Sequence, residues 1–223
     1  KGRPSFAYGV AVACNTPFAK IAQELGYQVL KDKTEAFGFN PKTALTVPLP
    51  VQKSYFPSLD PGVASTMMTG IGQFEVRTSP LMMASVAGAV ANEGTQGRPY
   101  LVSEELGADG KTTRQYRSGG TLGKPRSKEV AQQLRQMMIQ TVKEGTGKPG
   151  NVSAIEMGAK TGTAQTSGNM THAWYVGWAN TPDYPLAFAV VVEGDSANPS
   201  PHGGPVAGPV AKSMIQAAIS NDC

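Results

Sequence analysis

The sequence predicts an α+β fold, with helices first and an antiparallel sheet near the C-terminal end. Residues 157–165, 173–179 and 186–193 are strand-like runs joined by two short polar turns, as in an antiparallel meander. Upstream, apolar residues recur at helical spacing behind Ser, Thr and Pro start signals. A chain of 223 residues with 40% hydrophobic content can bury a core, and one domain is the expectation.

Taken in order, residues 5–13 read as a buried helix. Thr16-Pro17 then marks a second start, with Thr16 as cap, Phe18, Ile21, Ala22 and Leu25 as the apolar face, and Gly26 as the stop. Asn15 lies between these two helices, either as a capping residue or as an amide presented to a cleft. A further helix spans 30–37. The prolines from Pro41 to Pro61 forbid long regular elements in the insert that follows. Ser79-Pro80 starts a helix running to about Asn92, its methionines read as core filling. Residues 98–102 read as a short strand, and Ala108-Asp109-Gly110 as the turn of a peripheral hairpin returning through Thr112 to Tyr116. Ser127 caps an amphipathic helix that ends at Gly145, and Pro205 and Pro209 mark the start of a last one.

Twenty basic and sixteen acidic residues give a net charge of +4, but the cations are scattered. Residues 124–128 read as a solvated basic loop, and no nucleic-acid partner is expected. His172 and His202 have no ligand-spaced companions, so no metal site is expected. No run of apolar residues is long enough to span a bilayer. Cys14 and Cys223 allow a disulfide, two free thiols or outside partners.

Chemistry concentrates in Lys160-Thr161-Gly162-Thr163 on the first strand of the meander. A cation beside two hydroxyls and a glycine suits an anionic acyl substrate, because glycine admits a close backbone and lysine holds negative charge. Alone, the motif is weak. It stands, however, in an ordered series: Gly70-Ile71-Gly72-Gln73, Ser79-Pro80-Leu81-Met82-Met83-Ala84, Ala91-Asn92-Glu93-Gly94, Glu144-Gly145-Thr146-Gly147 and His172-Ala173-Trp174-Tyr175-Val176-Gly177. Together these resemble the C-terminal portion of the transpeptidase domain of class B penicillin-binding proteins, over nearly the whole chain. Ala13-Cys14-Asn15 resembles the family's Ser-x-Asn motif in its last residue only, since Ala13 lacks the relay hydroxyl.

The resemblance implies the serine transpeptidase fold, an antiparallel sheet with helices on both faces, with residues 1–223 forming the C-terminal portion of one domain. It implies serine acyl transfer without a cofactor, acting on peptidoglycan stem peptides and inhibited by β-lactams. Lys160 and Asn15 would be catalytic. Thr161, Gly162 and Thr163 would bind substrate, the Thr163 N–H completing an oxyanion hole. His172, Trp174 and Tyr175 are expected to pack or orient neighbours, and His202-Gly203-Gly204 to form a turn. No serine has a lysine three positions on, so the nucleophile is expected upstream and these residues alone are expected to be inactive. The early strands of the sheet would lie there too. The implied setting is extracytoplasmic, held by an upstream membrane anchor, within a cell-wall synthesis complex serving division or cell shape. The alternatives are a penicillin-recognising hydrolase, either carboxypeptidase or β-lactamase, and a β-lactam-sensing or inactive cell-wall-binding domain.

Overall fold

The computed structural model describes residues 5–41, 51–115 and 120–220. Helix α1 (Phe6–Ala11) starts at Ser5, whose hydroxyl accepts from the Tyr8 N–H at 3.1 Å. Helix α2 (Asn15–Glu35) starts two residues earlier than the sequence suggests, with Cys14 in the cap position and Pro17 inside the first turn. A proline is harmless there because first-turn N–H groups have no partner within the helix. Gly26, at φ 78°, interrupts α2, so the expected stop appears as a break between two helical stretches.

Helix α3 (Val63–Thr69) follows, and is not marked by capping chemistry. It docks on α2 so closely that a side chain at Gly70 would meet the Ala22 Cβ at 2.2 Å. In helix α4 (Pro80–Ala91), Ser79 accepts from the Met82 N–H and Pro80 opens the first turn, as expected.

The stretch 98–102 is not a strand. Pairing instead joins β1 (Gln96–Gly97) to β4 (Thr121–Gly123), while β2 (Glu104–Leu106) and β3 (Thr112–Gln115) form the exposed hairpin. The hairpin's expected end at Tyr116, part of the 39–63 insert and Cys223 lie outside the described residues. Arg126 is not simply solvated: its guanidinium lies 5.0 Å from the Phe37 ring centre, and burial lowers its pKa. Helix α5 (Lys128–Lys143) is capped by Ser127 through the Val130 N–H. Met82, Met138 and Met157 are buried, but Met68 and Met214 are exposed and do not fill the core.

The three-stranded sheet runs β5 (Met157–Gln165), β6 (Thr171–Asn180), β7 (Pro185–Glu193), antiparallel throughout. Helix α6 (Gly208–Ser220) closes the fold behind a π-helical turn at Gly203–Ala207. Helices cover both faces of the sheet. On one, Trp178 is buried among Val90 of α4 and Met138 and Ile139 of α5, and a Cβ at Gly158 would meet its ring at 2.7 Å. On the other, Tyr175 and Phe188 stack at 6.2 Å and pack with Ala211 and Ile215 of α6. Removing an aromatic from such a core costs about 3–5 kcal/mol.

Candidate active site

Which groups β5 presents is decided by its pairing. At its two ends the Asn180 N–H bonds the Glu156 carbonyl and the Thr166 N–H bonds the Met170 carbonyl. In an antiparallel ladder a residue's N–H and C=O point the same way and alternate along the strand. The even residues of β5 therefore bond β6. Thr161, Thr163 and Gln165 turn their main-chain groups to the outer edge.

Three contacts mark that edge. Lys160 Nζ donates to the Thr161 carbonyl at 2.9 Å, Gln73 Nε2 donates to the Thr163 carbonyl at 3.1 Å, and the Gln165 N–H donates to Gln73 Oε1 at 3.3 Å. The Thr163 N–H faces the same edge, between an ammonium and an amide. Burial lowers the Lys160 pKa from 10.5 to about 8, because the charged form loses hydration.

The threonine side chains point to the opposite face. Thr161 Oγ1 lies 2.6 Å from Thr146 Oγ1, and Thr146 also bonds the Ala11 carbonyl through its N–H at 3.0 Å and its hydroxyl at 3.3 Å. Thr146 has one hydroxyl proton, given either to the Ala11 carbonyl or to Thr161, and only in the second case does the Thr161 proton stay available for a bound anion. Gly145 permits this junction, since a Cβ there would lie 2.0 Å from the Ala11 oxygen. Thr163 Oγ1 lies 3.4 Å from His202 Nδ1. The π-helical turn carries His202 there because Gly203 presses on the strands and Gly204 on the segment carrying Thr146. Their Cβ atoms would meet the Trp174 oxygen at 2.3 Å and the Thr146 oxygen at 2.5 Å.

Lys160, Thr161, Gly162 and Thr163 thus lie together on one edge strand. A Cβ at Gly162 would sit 3.3 Å from that of Trp174, tight but not prohibitive. Asn15 begins α2, four residues past the carbonyl that Thr146 grips. Its side chain is exposed, and no hydrogen bond joins it to β5 among the described residues. Tyr175 and His172 are structural, as expected: the buried Tyr175 hydroxyl donates to the Gly147 carbonyl at 2.7 Å, with burial raising its pKa, and His172 Nδ1 accepts from the Gly194 N–H. Thr146, Gln73 and His202 are additions to the site. Each stands beside glycine in the sequence, a usable signal of close backbone approach.

The arrangement offers a cation, two hydroxyls and a main-chain N–H around one strand edge, a set suited to a carboxylate and a developing oxyanion. Residues 3–216 match the family described as penicillin binding protein transpeptidase domain. The peptidoglycan D,D-transpeptidase PbpA of Mycolicibacterium smegmatis is 35% identical over 218 residues, covering 94% of this chain and 43% of that protein. PbpA of Mycobacterium tuberculosis H37Rv is 33% identical over 217 residues, with the same coverages of 94% and 43%. Among solved structures, the penicillin G acyl-enzyme complex of M. tuberculosis penicillin-binding protein A has a TM-score of 0.84 at 31% identity, over 98% of this chain and 50% of that one. The D,D-transpeptidase domain of an Eggerthella lenta peptidoglycan glycosyltransferase also gives 0.84, at 27% identity, over 99% and 54%. The chain spans less than half the length of these curated relatives and about half of the solved chains. It belongs to the penicillin-binding protein transpeptidase domain family.

Proposed function

We propose that these residues form the β5-bearing part of a D,D-transpeptidase that cross-links peptidoglycan stem peptides and is inhibited by β-lactams. The relatives carry that activity in their names, and one edge of β5 holds the groups it needs. A serine outside these 223 residues attacks the D-alanyl-D-alanine carbonyl, its proton passing to the departing D-alanine amine. A second stem peptide's amine then displaces the serine oxygen.

In this reading Lys160 holds the terminal carboxylate and serves proton transfer, and Thr161 and Thr163 donate to that carboxylate. The Thr163 N–H stabilises the oxyanion, a contribution on the order of 3 kcal/mol. Asn15 binds the substrate's amide groups from the start of α2. The chemistry needs no cofactor. The proposed setting is extracytoplasmic, with a membrane anchor upstream and a cell-wall synthesis complex as partner.

The observation that carries the proposal is the outward Thr163 N–H held between Lys160 and Gln73. One feature favours a second reading, a catalytically inactive cell-wall-binding domain: Ala13 supplies no hydroxyl and sits in a left-handed conformation at φ 54°. Intact mass after incubation of the complete protein with benzylpenicillin separates the two. A lasting adduct on an upstream serine, absent in Lys160→Ala, is the expected result. Rapid loss of the adduct indicates a hydrolase, and no adduct indicates the non-catalytic domain. Unchanged acylation of Lys160→Ala would remove Lys160 from the site.

A further inference from the structure

The edge of β5 is already paired, by a side chain. Gln73 gives its Nε2 hydrogen to the Thr163 carbonyl and its Oε1 to the Gln165 N–H, 90 and 92 residues away in sequence. In a neighbouring strand that donor and that acceptor would come from two different peptide units, because the N–H and C=O of one trans peptide point opposite ways. A primary carboxamide carries its C=O and one N–H on the same side, so the single Gln73 side chain fills both positions of a neighbouring strand.

The backbone that presents Gln73 is unusual. Gly72 and Phe74, on either side of it, have φ 74° and 62°, and Phe74 is half exposed. Glycine adopts this region freely, whereas phenylalanine does so rarely. The Gln73 N–H is fixed to the Met68 carbonyl at 3.0 Å. A tight, costly turn therefore aims one amide at one strand edge.

We propose that Gln73 is a specificity-determining residue: a removable strand mimic that acyl donors displace through the amide N–H of the residue bearing the reacting carbonyl. The inference rests on the transpeptidase reading above and deepens it. Its argument is the exchange rule of antiparallel pairs, in which two facing residues trade both hydrogen bonds. A ligand residue whose carbonyl oxygen sits on the Thr163 N–H aims its own N–H at the Thr163 carbonyl. That carbonyl carries the Gln73 hydrogen. An acylamino donor must therefore replace the Gln73 contact, while a donor lacking that amide leaves it in place. Gln73 thus lowers the preference for donors that carry this amide over donors that lack it.

Gln73→Met keeps length and volume but removes both polar contacts. The test measures second-order acylation constants of the complete protein, wild type and Gln73→Met, with benzylpenicillin and with penicillanic acid, which has the same bicyclic nucleus and no acylamino group. Losing competing hydrogen bonds is expected to raise the benzylpenicillin-to-penicillanic acid ratio roughly five-fold. The ratio cancels any loss of folded protein, so a poorly folding variant still answers the question. An unchanged ratio would mean that the Thr163 carbonyl accepts from Gln73 and ligand together, and a lowered ratio would make Gln73 a ligand contact. Either overturns the proposal. If wild type itself is not acylated by either compound, the transpeptidase reading fails instead, and the two failures are distinct.

Discussion

Replacing Lys160 with methionine should stabilise the protein at neutral pH while abolishing its reaction with β-lactams. Burial lowers the Lys160 pKa from 10.5 to about 8, so the fold favours the neutral amine. At roughly 1.4 kcal/mol per pKa unit, the penalty on the charged form is about 3 kcal/mol before discounting. The side chain is only partly buried, which screens part of this. Methionine also forfeits the bond to the Thr161 carbonyl, worth about 1 kcal/mol. A net gain of about 1–2 kcal/mol remains, or roughly 2–8 °C in Tm for a chain of this size. Below about pH 8 both folded and unfolded wild type hold the proton, and the penalty is complete. Between about 8 and 10.5 the unfolded chain binds more protons, so wild-type stability rises with pH and the advantage of methionine shrinks. Above 10.5 that advantage is gone. Guanidinium unfolding at pH 7 and pH 10, followed by the fluorescence of the buried Trp178, measures this directly. A methionine variant less stable than wild type at pH 7, or a gain equal at both pH values, would refute the reasoning.

Thr146→Val preserves shape but removes the hydroxyl that joins Thr161 to the end of α1. It should cost about 1–2 kcal/mol in urea unfolding and slow acylation by benzylpenicillin, since Thr161 loses the partner that sets its proton. Gly203→Ala places a methyl group 2.3 Å from the Trp174 oxygen and 2.6 Å from the Gly162 oxygen, both main-chain atoms. It should cost about 2 kcal/mol or more, because neither strand can yield without breaking the β5–β6 ladder. Gly97→Ala, whose Cβ would meet nothing within 4 Å, is the matched control and should leave the melting temperature within a degree or so.

The meander was legible because its strands are bounded by polar turns, and both turns are shorter than expected, with β6 running from Thr171 to Asn180 and β7 starting at Pro185. The caps at Ser79 and Ser127 were legible because a serine oxygen satisfies an N–H three residues on, a relation contained within one stretch of sequence. Thr16 was misread as a cap because proline is tolerated anywhere in a first turn. Helix α3 escaped because its stability comes from contact with α2 at Ala22, not from local signals. The pairing of β1 with β4 is too short to leave a pattern. In the site, Lys160 to Thr163 could be read as a motif. Gln73 and Thr146 fell inside glycine-bearing signatures and His202 in an expected turn, but their contacts could not be read, since these depend on partners 90, 135 and 39 residues away.

The order Lys-Thr-Gly-Thr follows from the period of a strand. Side chains alternate between the faces of β5, and main-chain groups alternate between its two edges. Lys160 lies on the face toward α5, from which its chain is long enough to reach the outward Thr161 carbonyl. Thr161 and Thr163 place their hydroxyls on the other face, against Thr146 and His202, and their main-chain groups on the open edge. Gly162 leaves the face beside Lys160 free of a second side chain. One strand thereby surrounds a single edge with a cation, hydroxyls and an N–H, none of which competes with the sheet's own hydrogen bonds. Slipping the register of β5 by one residue would turn the Thr163 N–H into the ladder and exchange the faces of Lys160 and Thr161. The site therefore depends on a register that the core enforces independently, with Gly158 beneath Trp178 and Ala159 buried on the opposite side.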